Sequence, residues 1–351
     1  MKARVSRTSC LAAIVLLIPL AALGQSGSPE AVQRTAWGAP DLGGVWDYNS
    51  LIPLERPAEY EGREFMTEEE AASLGEQAQA TAGQDQRHPD PSIDIESAYN
   101  AFWSDAITTV PADRRTSLIV DPPDGRLPPL TPAAQAREAA WRADRTPPIR
   151  APLLLAFLAG DNPARGPEDF GLSERCILGY STGPPLNGGA YNSNLQIFQT
   201  PDLVVLFTEM VHEARVVPLD GRPHVSPAIR QWLGDSRGHW DGDTLVVETR
   251  NFTNKRSSFI TTSTDAVGEG GALRLIERFT RVDADWLRYE YTVNDPVTWV
   301  RPFTVSQMLP RTEGPIFEYA CHEGNYGLAN AMAGARAEER EMTEQGDGGQ
   351  Q

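Results

Sequence analysis

The stretch Gln196–Thr249, QIFQTPDLVVLFTEMVHEARVVPLDGRPHVSPAIRQWLGDSRGHWDGDTLVVET, decides the fold. Within it Leu203, Val205 and Phe207 alternate with Val204, Leu206 and Thr208, the pattern of a strand apolar on both faces. Asp241-Gly242-Asp243 has the chemistry of a hairpin turn and joins Arg237–Trp240 to Thr244–Arg250. The period of two continues through Leu273–Val282, and Asp283-Ala284-Asp285 turns the chain back. In Trp286–Val293 the residues Leu287, Tyr289, Tyr291 and Val293 share one face, with Arg288, Glu290 and Thr292 on the other. Trp299–Met308 and Ile316–Cys321 extend the series, and Val45–Tyr48 adds a strand near the start. Roughly eight to ten sequential strands are expected. No helices alternate with them, which excludes a doubly wound α/β fold. The expected class is mainly β: an antiparallel meander that hides its edges by closing into a barrel or a strongly curved sheet.

Upstream, the pattern is helix and loop. Thr67-Glu68-Glu69-Glu70 is a capping box before an Ala-rich run, predicting a helix over 68–80. Residues 81–92 read as a loop that carries a solvated His88, and Tyr99, Phe102 and Trp103 read as packing residues. A short strand after Arg115 runs into the turn Asp121–Arg126. Thr131-Pro132 places a capping side chain and a first-turn proline ahead of good helix formers, predicting a helix over 132–143. A last helix is expected over 326–338. The organisation read from the sequence is therefore a signal peptide over 1–24 and one β-rich domain over 25–351. That domain divides into an N-terminal part with helices and loops (25–194), an antiparallel strand core (195–325), and a short helix with a disordered tail (326–351).

The ends and the charge bound the partners. Lys2, Arg4 and Arg7 precede the apolar run Leu11–Leu23, and Ala22-Leu23-Gly24 offers small residues where a signal peptidase reads, so cleavage before Gln25 is expected. The expected location is periplasmic or extracellular, with no stable membrane insertion after cleavage. Net charge is −17, and no Lys/Arg-rich tract follows the leader, which argues against nucleic acid as a partner. Oligomeric state is not legible. Two cysteines follow the leader, Cys176 and Cys321. In an oxidising compartment such a pair is expected to form a disulfide.

Several phrases occur together: PDLGGVW (40–46), DPPDGR (121–126), ERCI (174–177), Tyr191-Asn192, HEARVVPLDGRPH (212–224), WDGDTLVVET (240–249) and YACHEGN (319–325). As a set they resemble a family of secreted bacterial proteins of unknown function, across nearly all of the chain after the leader. The resemblance implies an extracytoplasmic home and a single architecture, and it implies no catalytic residues. Gly44-Val45-Trp46 near the first strand is also similar to lipocalin-like barrels, where a Trp plugs the barrel base; a plain core Trp has the same signature.

Candidate chemistry centres on His212–His224. His212 and His224 are candidate acid–base groups, with Arg215, Asp220 and Arg222 as charge-stabilising partners, because histidine ordinarily titrates near neutrality and Arg can hold a developing oxyanion. The alternative is an Asp–Arg–His network that fastens a turn. His239, Trp240 and Asp241 at the next hairpin, and His322-Glu323 beside Cys321, are candidate ligand-binding residues. No spacing matches a zinc pattern, there is no Gly-x-Ser-x-Gly, phosphate loop or dinucleotide fingerprint, and no cofactor is expected. A divalent metal would need His212, His224, His239 and His322 to converge. Two functions follow. One is an enzyme of lyase or hydrolase type acting on a small organic or carbohydrate molecule at the mouth of the β-structure. The other is a non-catalytic, lipocalin-like binding protein. Binding barrels are lined mainly by apolar groups, and the density of His, Arg and Asp in this stretch favours the enzyme.

Overall fold

The structure, a computed structural model, describes residues 33–81, 110–143, 166–167, 172–173, 175–179, 181–189, 191–254 and 270–348. The proposed leader, His88, and Tyr99, Phe102 and Trp103 lie outside the described residues. Ten strands are present in that set. They are β1 (Gly44–Asp47), β2 (Ile119–Asp121), β3 (Asn194–Gln199), β4 (Leu203–Thr208), β5 (Glu213–Pro218), β6 (Asp235–Asp241), β7 (Thr244–Arg250), β8 (Arg274–Arg281), β9 (Trp286–Asn294) and β10 (Phe303–Pro310). Three helices accompany them: α1 (Glu68–Thr81), α2 (Pro132–Ala143) and α3 (Tyr326–Gly348).

The mainly β, antiparallel class is as the periodicity predicts, but the strands do not close into one barrel. They form a four-stranded sheet in the order β1-β3-β4-β5 and a six-stranded sheet in the order β2-β10-β9-β8-β7-β6, antiparallel throughout. The break falls between β5 and β6. Residues 219–234 carry Pro223, Pro227 and two glycines with positive φ, Gly221 and Gly234. Proline cannot donate to a ladder, so this segment cannot extend either sheet into the other. The edges meet through side chains instead. A Cβ on Gly238 of β6 would come within 2.7 Å of Leu219 and 2.8 Å of Val217, so only glycine lets β5 lie this close.

The inner faces of both sheets share one core. Trp46, Leu195, Ile197, Leu206 and Val217 from the smaller sheet join Leu245, Leu275, Phe279, Tyr289 and Phe303 from the larger. Burying each of the larger side chains contributes about 1.5–3 kcal/mol. Trp46 is fully buried; its Nε1 donates to Leu42 O at 3.0 Å, and the Arg281 guanidinium lies 5.6 Å from its ring. It packs between sheets and plugs no barrel.

Two segments depart from the predicted elements. Ile316–Cys321 does not pair as a strand. Pro315 cannot donate to a ladder, and the segment crosses the end of the smaller sheet as a strap held by side chains. α3 runs to Gly348, ten residues beyond the predicted end. Ala, Glu, Arg, Met and Gln dominate 329–345 and carry the helix on by propensity. The Cys176–Cys321 disulfide is formed, with Cα atoms 5.8 Å apart, and ties the strap to the loop before β3. A disulfide is consistent with an oxidising compartment. No helix among the described residues is long and apolar enough to cross a membrane.

Candidate functional site

The predicted catalytic set divides between two places. His224 belongs to the loop before β6. Alternation along β6 and β7 puts Asp235, Arg237, Glu248 and Arg250 on the outer face of the larger sheet, next to Arg274 at the start of β8. There His224 Nδ1 lies 2.8 Å from Asp235 Oδ2, which also accepts the Val225 amide at 3.0 Å. The other Asp235 oxygen takes Arg237 Nη1 at 2.7 Å, and Arg237 Nε donates to Pro223 O at 3.0 Å. Asn251 Nδ2 donates to Val225 O. The imidazole is thus fixed through Nδ1, and Asp235, which holds it, is itself held by the Val225 amide and Arg237. A carboxylate against Nδ1 makes that nitrogen the donor, which leaves Nε2 as the lone-pair nitrogen.

Nε2 lies 3.9 Å from Glu248 Oε1. Arg274 grips Glu248 with Nε and Nη2, each at 3.0 Å, and Arg250 pairs with the same carboxylate. Burial works to raise the Glu248 carboxyl, but the hydrogen bonds from Arg274 and Arg250 outweigh it and hold it below its ordinary value. The His224 side chain keeps 21% of its surface exposed, and those of Arg250 and Arg274 keep 47% and 44%. The arrangement is a semi-recessed polar face with an oriented histidine and three arginines against two carboxylates. It can move a proton at Nε2 beside a positively charged rim.

The structure does not bring His212 to this place. His212 sits at the β4–β5 turn, stacks on Phe207 with ring centroids 5.4 Å apart, and accepts the Tyr319 amide on Nδ1 at 2.9 Å. Val211 and His212 both hold positive φ, which aims the ring at the strap. Buried Glu209 accepts from Phe317 N and Asn194 Nδ2 in the same region. The two histidines are anchored on different sheets. Asp220 and Arg222 form an exposed pair in the β5–β6 loop, where the Arg222 side chain holds the Asp220 carboxyl down to about 2. His239 is exposed on β6, Trp240 packs against the shared core, and Asp241 pairs with Arg278 at 3.0 Å. His322 and Glu323 are exposed beyond the disulfide. Among the described residues no three His, Cys, Asp or Glu side chains group as a metal site.

Arg215 went inward. It forms a bidentate pair with Glu277 of β8, Nη2 to Oε1 at 2.9 Å and Nη1 to Oε2, between the two sheets. Tyr289 OH donates to Glu277 Oε1 at 2.8 Å and accepts from Leu186 N. Burial, and then the Glu277 charge, push the Tyr289 phenol well above its ordinary value, so it stays a neutral donor. Beside the pair lies a cavity of about 10 Å3, room for one water at most. Half-buried Glu213 lines it, with its carboxyl raised by burial.

Reasoning from the sequence missed Glu277, Glu248, Arg237, Arg250 and Arg274. A signal existed for the first. In Leu275-Ile276-Glu277-Arg278-Phe279 the glutamate falls on the Leu275 and Phe279 face, where an alternating strand should be apolar. The outer-face arginines follow ordinary alternation and carry no such mark.

A larger cleft, of about 320 Å3, opens between α1 and the 51–60 segment. No family model, no curated protein and no solved structure matches the chain.

Proposed function

We propose that the protein is an extracytoplasmic acid–base catalyst of lyase or hydrolase type, acting on a small anionic organic molecule on the outer face of the larger sheet. His224 carries the proton. The observation behind this is the 2.8 Å contact of His224 Nδ1 with Asp235, which leaves Nε2 on the side of Glu248, 3.9 Å away, a carboxylate that Arg250 and Arg274 hold. Asp235 fixes the tautomer and stabilises the imidazolium that forms, while three arginines against the two carboxylates Asp235 and Glu248 leave one positive charge to attract an anion. Membership of the secreted bacterial family that the motifs resemble belongs to the same proposal. The test is a panel of small carboxylates, uronic acids and esters incubated with wild type and His224→Gln and followed by proton NMR. Turnover by wild type and its loss in the variant support the proposal. Equal turnover by both, or none by either, refutes it. A non-catalytic small-molecule binding protein is the second reading, and the cleft beside α1 favours it.

A further inference from the structure

The cleft of about 320 Å3 beside α1 lies within the size range that small ligands occupy. Its cause is in the helix. α1 is started by a reciprocal cap: Glu70 N donates to Thr67 Oγ1 at 3.2 Å, and Thr67 N donates to Glu70 Oε2 at 2.8 Å. The stripe that faces the cleft is Glu70, Ser73, Leu74 and Gln77, the i, i+3, i+4, i+7 set of one helical face. A helix that packs closely carries apolar groups along such a stripe. Here Leu74 alone is apolar: α1 meets the 51–60 segment through Ala71 and Leu74, which pack with Ile52 and Tyr60, and the cleft opens along the polar part of the stripe.

The two walls therefore differ. One is apolar: Leu51, Ile52, Pro57, Tyr60 and Met66 line it, with Ile52 and Met66 buried in a satellite core. The Tyr60 ring is braced by the Arg63 guanidinium, 5.2 Å from its centroid. The other wall is the polar stripe of α1. Arg115 closes one end, fixed by Glu64 at 2.8 Å and lying 5.3 Å from the Phe65 ring. The charges also select. Glu70 is paired with Arg63 at 2.6 Å and Arg115 with Glu64 at 2.8 Å, so Glu59 tips the lining negative and an anion is disfavoured. An apolar wall with a braced aromatic ring, opposite a row of mixed donors and acceptors, matches a ring that has one apolar face and a hydroxylated edge.

We propose that this cleft binds a neutral polyhydroxylated ring, a carbohydrate of mono- or disaccharide size. Its apolar face lies on the Tyr60 wall and its hydroxyls meet Ser73, Gln77 and Glu59. This site is separate from His224, and its success or failure does not depend on the catalytic proposal.

The experiment is titration of the full chain with cellobiose and, separately, with hexanoate, followed by amide NMR. Cellobiose should shift residues 51–60 and 70–77 saturably, with a midpoint of about 1–10 mM, and hexanoate should not. Ser73→Ala with Gln77→Ala, both at exposed positions of a capped helix, should weaken cellobiose by about tenfold, the loss of one or two hydrogen bonds. Leu74→Trp, which fills the cleft, should abolish binding. The alanine pair keeps the test decisive if the tryptophan variant does not fold. Absence of saturable shifts, an equal response to hexanoate, or unchanged affinity in the alanine pair overturns the proposal.

Discussion

Arg215 of β5 and Glu277 of β8 pair across the interface of the two sheets, both side chains almost wholly removed from water. Each occupies an inward position that its strand would otherwise fill with an apolar residue. The pair therefore joins the sheets by charge where the surrounding core joins them by burial.

Breaking that pair on one side should be costly. Glu277→Gln leaves the Arg215 charge buried without its counter-ion, and the Tyr289 hydroxyl without an ionised acceptor. Loss of one partner of a buried pair costs about 3–5 kcal/mol, whereas an apolar pair of similar volume can be neutral. Urea unfolding should show the single variants Glu277→Gln and Arg215→Met strongly destabilised, and Arg215→Met/Glu277→Leu recovering most of the loss. A double variant as unstable as the singles would mean that the charges do more than fill their space.

The strap is held by Glu209, His212 and the disulfide. Cys176→Ser/Cys321→Ser opens a crosslink spanning 145 residues. On the chain-entropy account this costs roughly 4–5 kcal/mol. His212→Ala removes only the acceptor of the Tyr319 amide. Hydrogen exchange over 316–321 should rise modestly in His212→Ala and sharply in the cysteine variant, with the strands of the larger sheet unchanged in the first. Exchange unaffected by His212→Ala would show that the ring does not hold the strap.

Much of this was legible in the sequence, and the gaps have a common cause. The Thr67–Glu70 cap marked α1, and both of its hydrogen bonds form. The Asp241–Asp243 turn set the β6–β7 register, with Asp241 opposite Thr244. Alternation named the inner face of β9 correctly. But alternation is the same whether a meander closes on itself or divides into two sheets, so Leu287, Tyr289 and Tyr291 could not report the division. Ile316–Cys321 has strand-like composition, yet its backbone bonds go to side chains that lie over 100 positions away in sequence. The anchors of the histidines were hidden for the same reason. Their spacing around the Asp220-Gly221 turn suggests a shared mouth, whereas the partners that fix them, Tyr319 and Asp235, are set by tertiary packing.

Glu213 gives the smaller cavity a pH signature. Burial raises its carboxyl above the ordinary value. A raised value in the folded state means that the native protein holds this proton more tightly than the unfolded chain. The contribution to stability is then fully present below the unfolded value and is lost as pH rises through the folded one. Glu213→Gln cannot ionise. The urea midpoint of the variant relative to wild type should therefore climb as pH is raised from about 4 to about 7. A pH-independent difference between them would rule out a buried, proton-holding Glu213.

The last prediction concerns the two histidines that the sequence placed together and the structure places on different sheets. His224 faces the Asp235 carboxylate through Nδ1, so its proton must be there and Nε2 is the open nitrogen. His212 accepts the Tyr319 amide on Nδ1, so its proton must be on Nε2. Neutral His212 and His224 are therefore opposite tautomers, and long-range nitrogen–proton NMR of the imidazole rings reads both in one spectrum. Asp235→Asn can present an amide N–H to His224 and should turn it toward the Nε2–H form without touching His212. The same variant should lose any turnover that depends on His224, because Nε2 would then carry the proton and could not accept one. Stability should fall as well: Arg237 can still bond to the asparagine oxygen, but the Val225 amide, which shares Oδ2 with His224, then faces an N–H, and a loss of about 1–3 kcal/mol is expected. A wild-type His224 with its proton on Nε2 would sink both the assigned geometry and the catalytic proposal built on it.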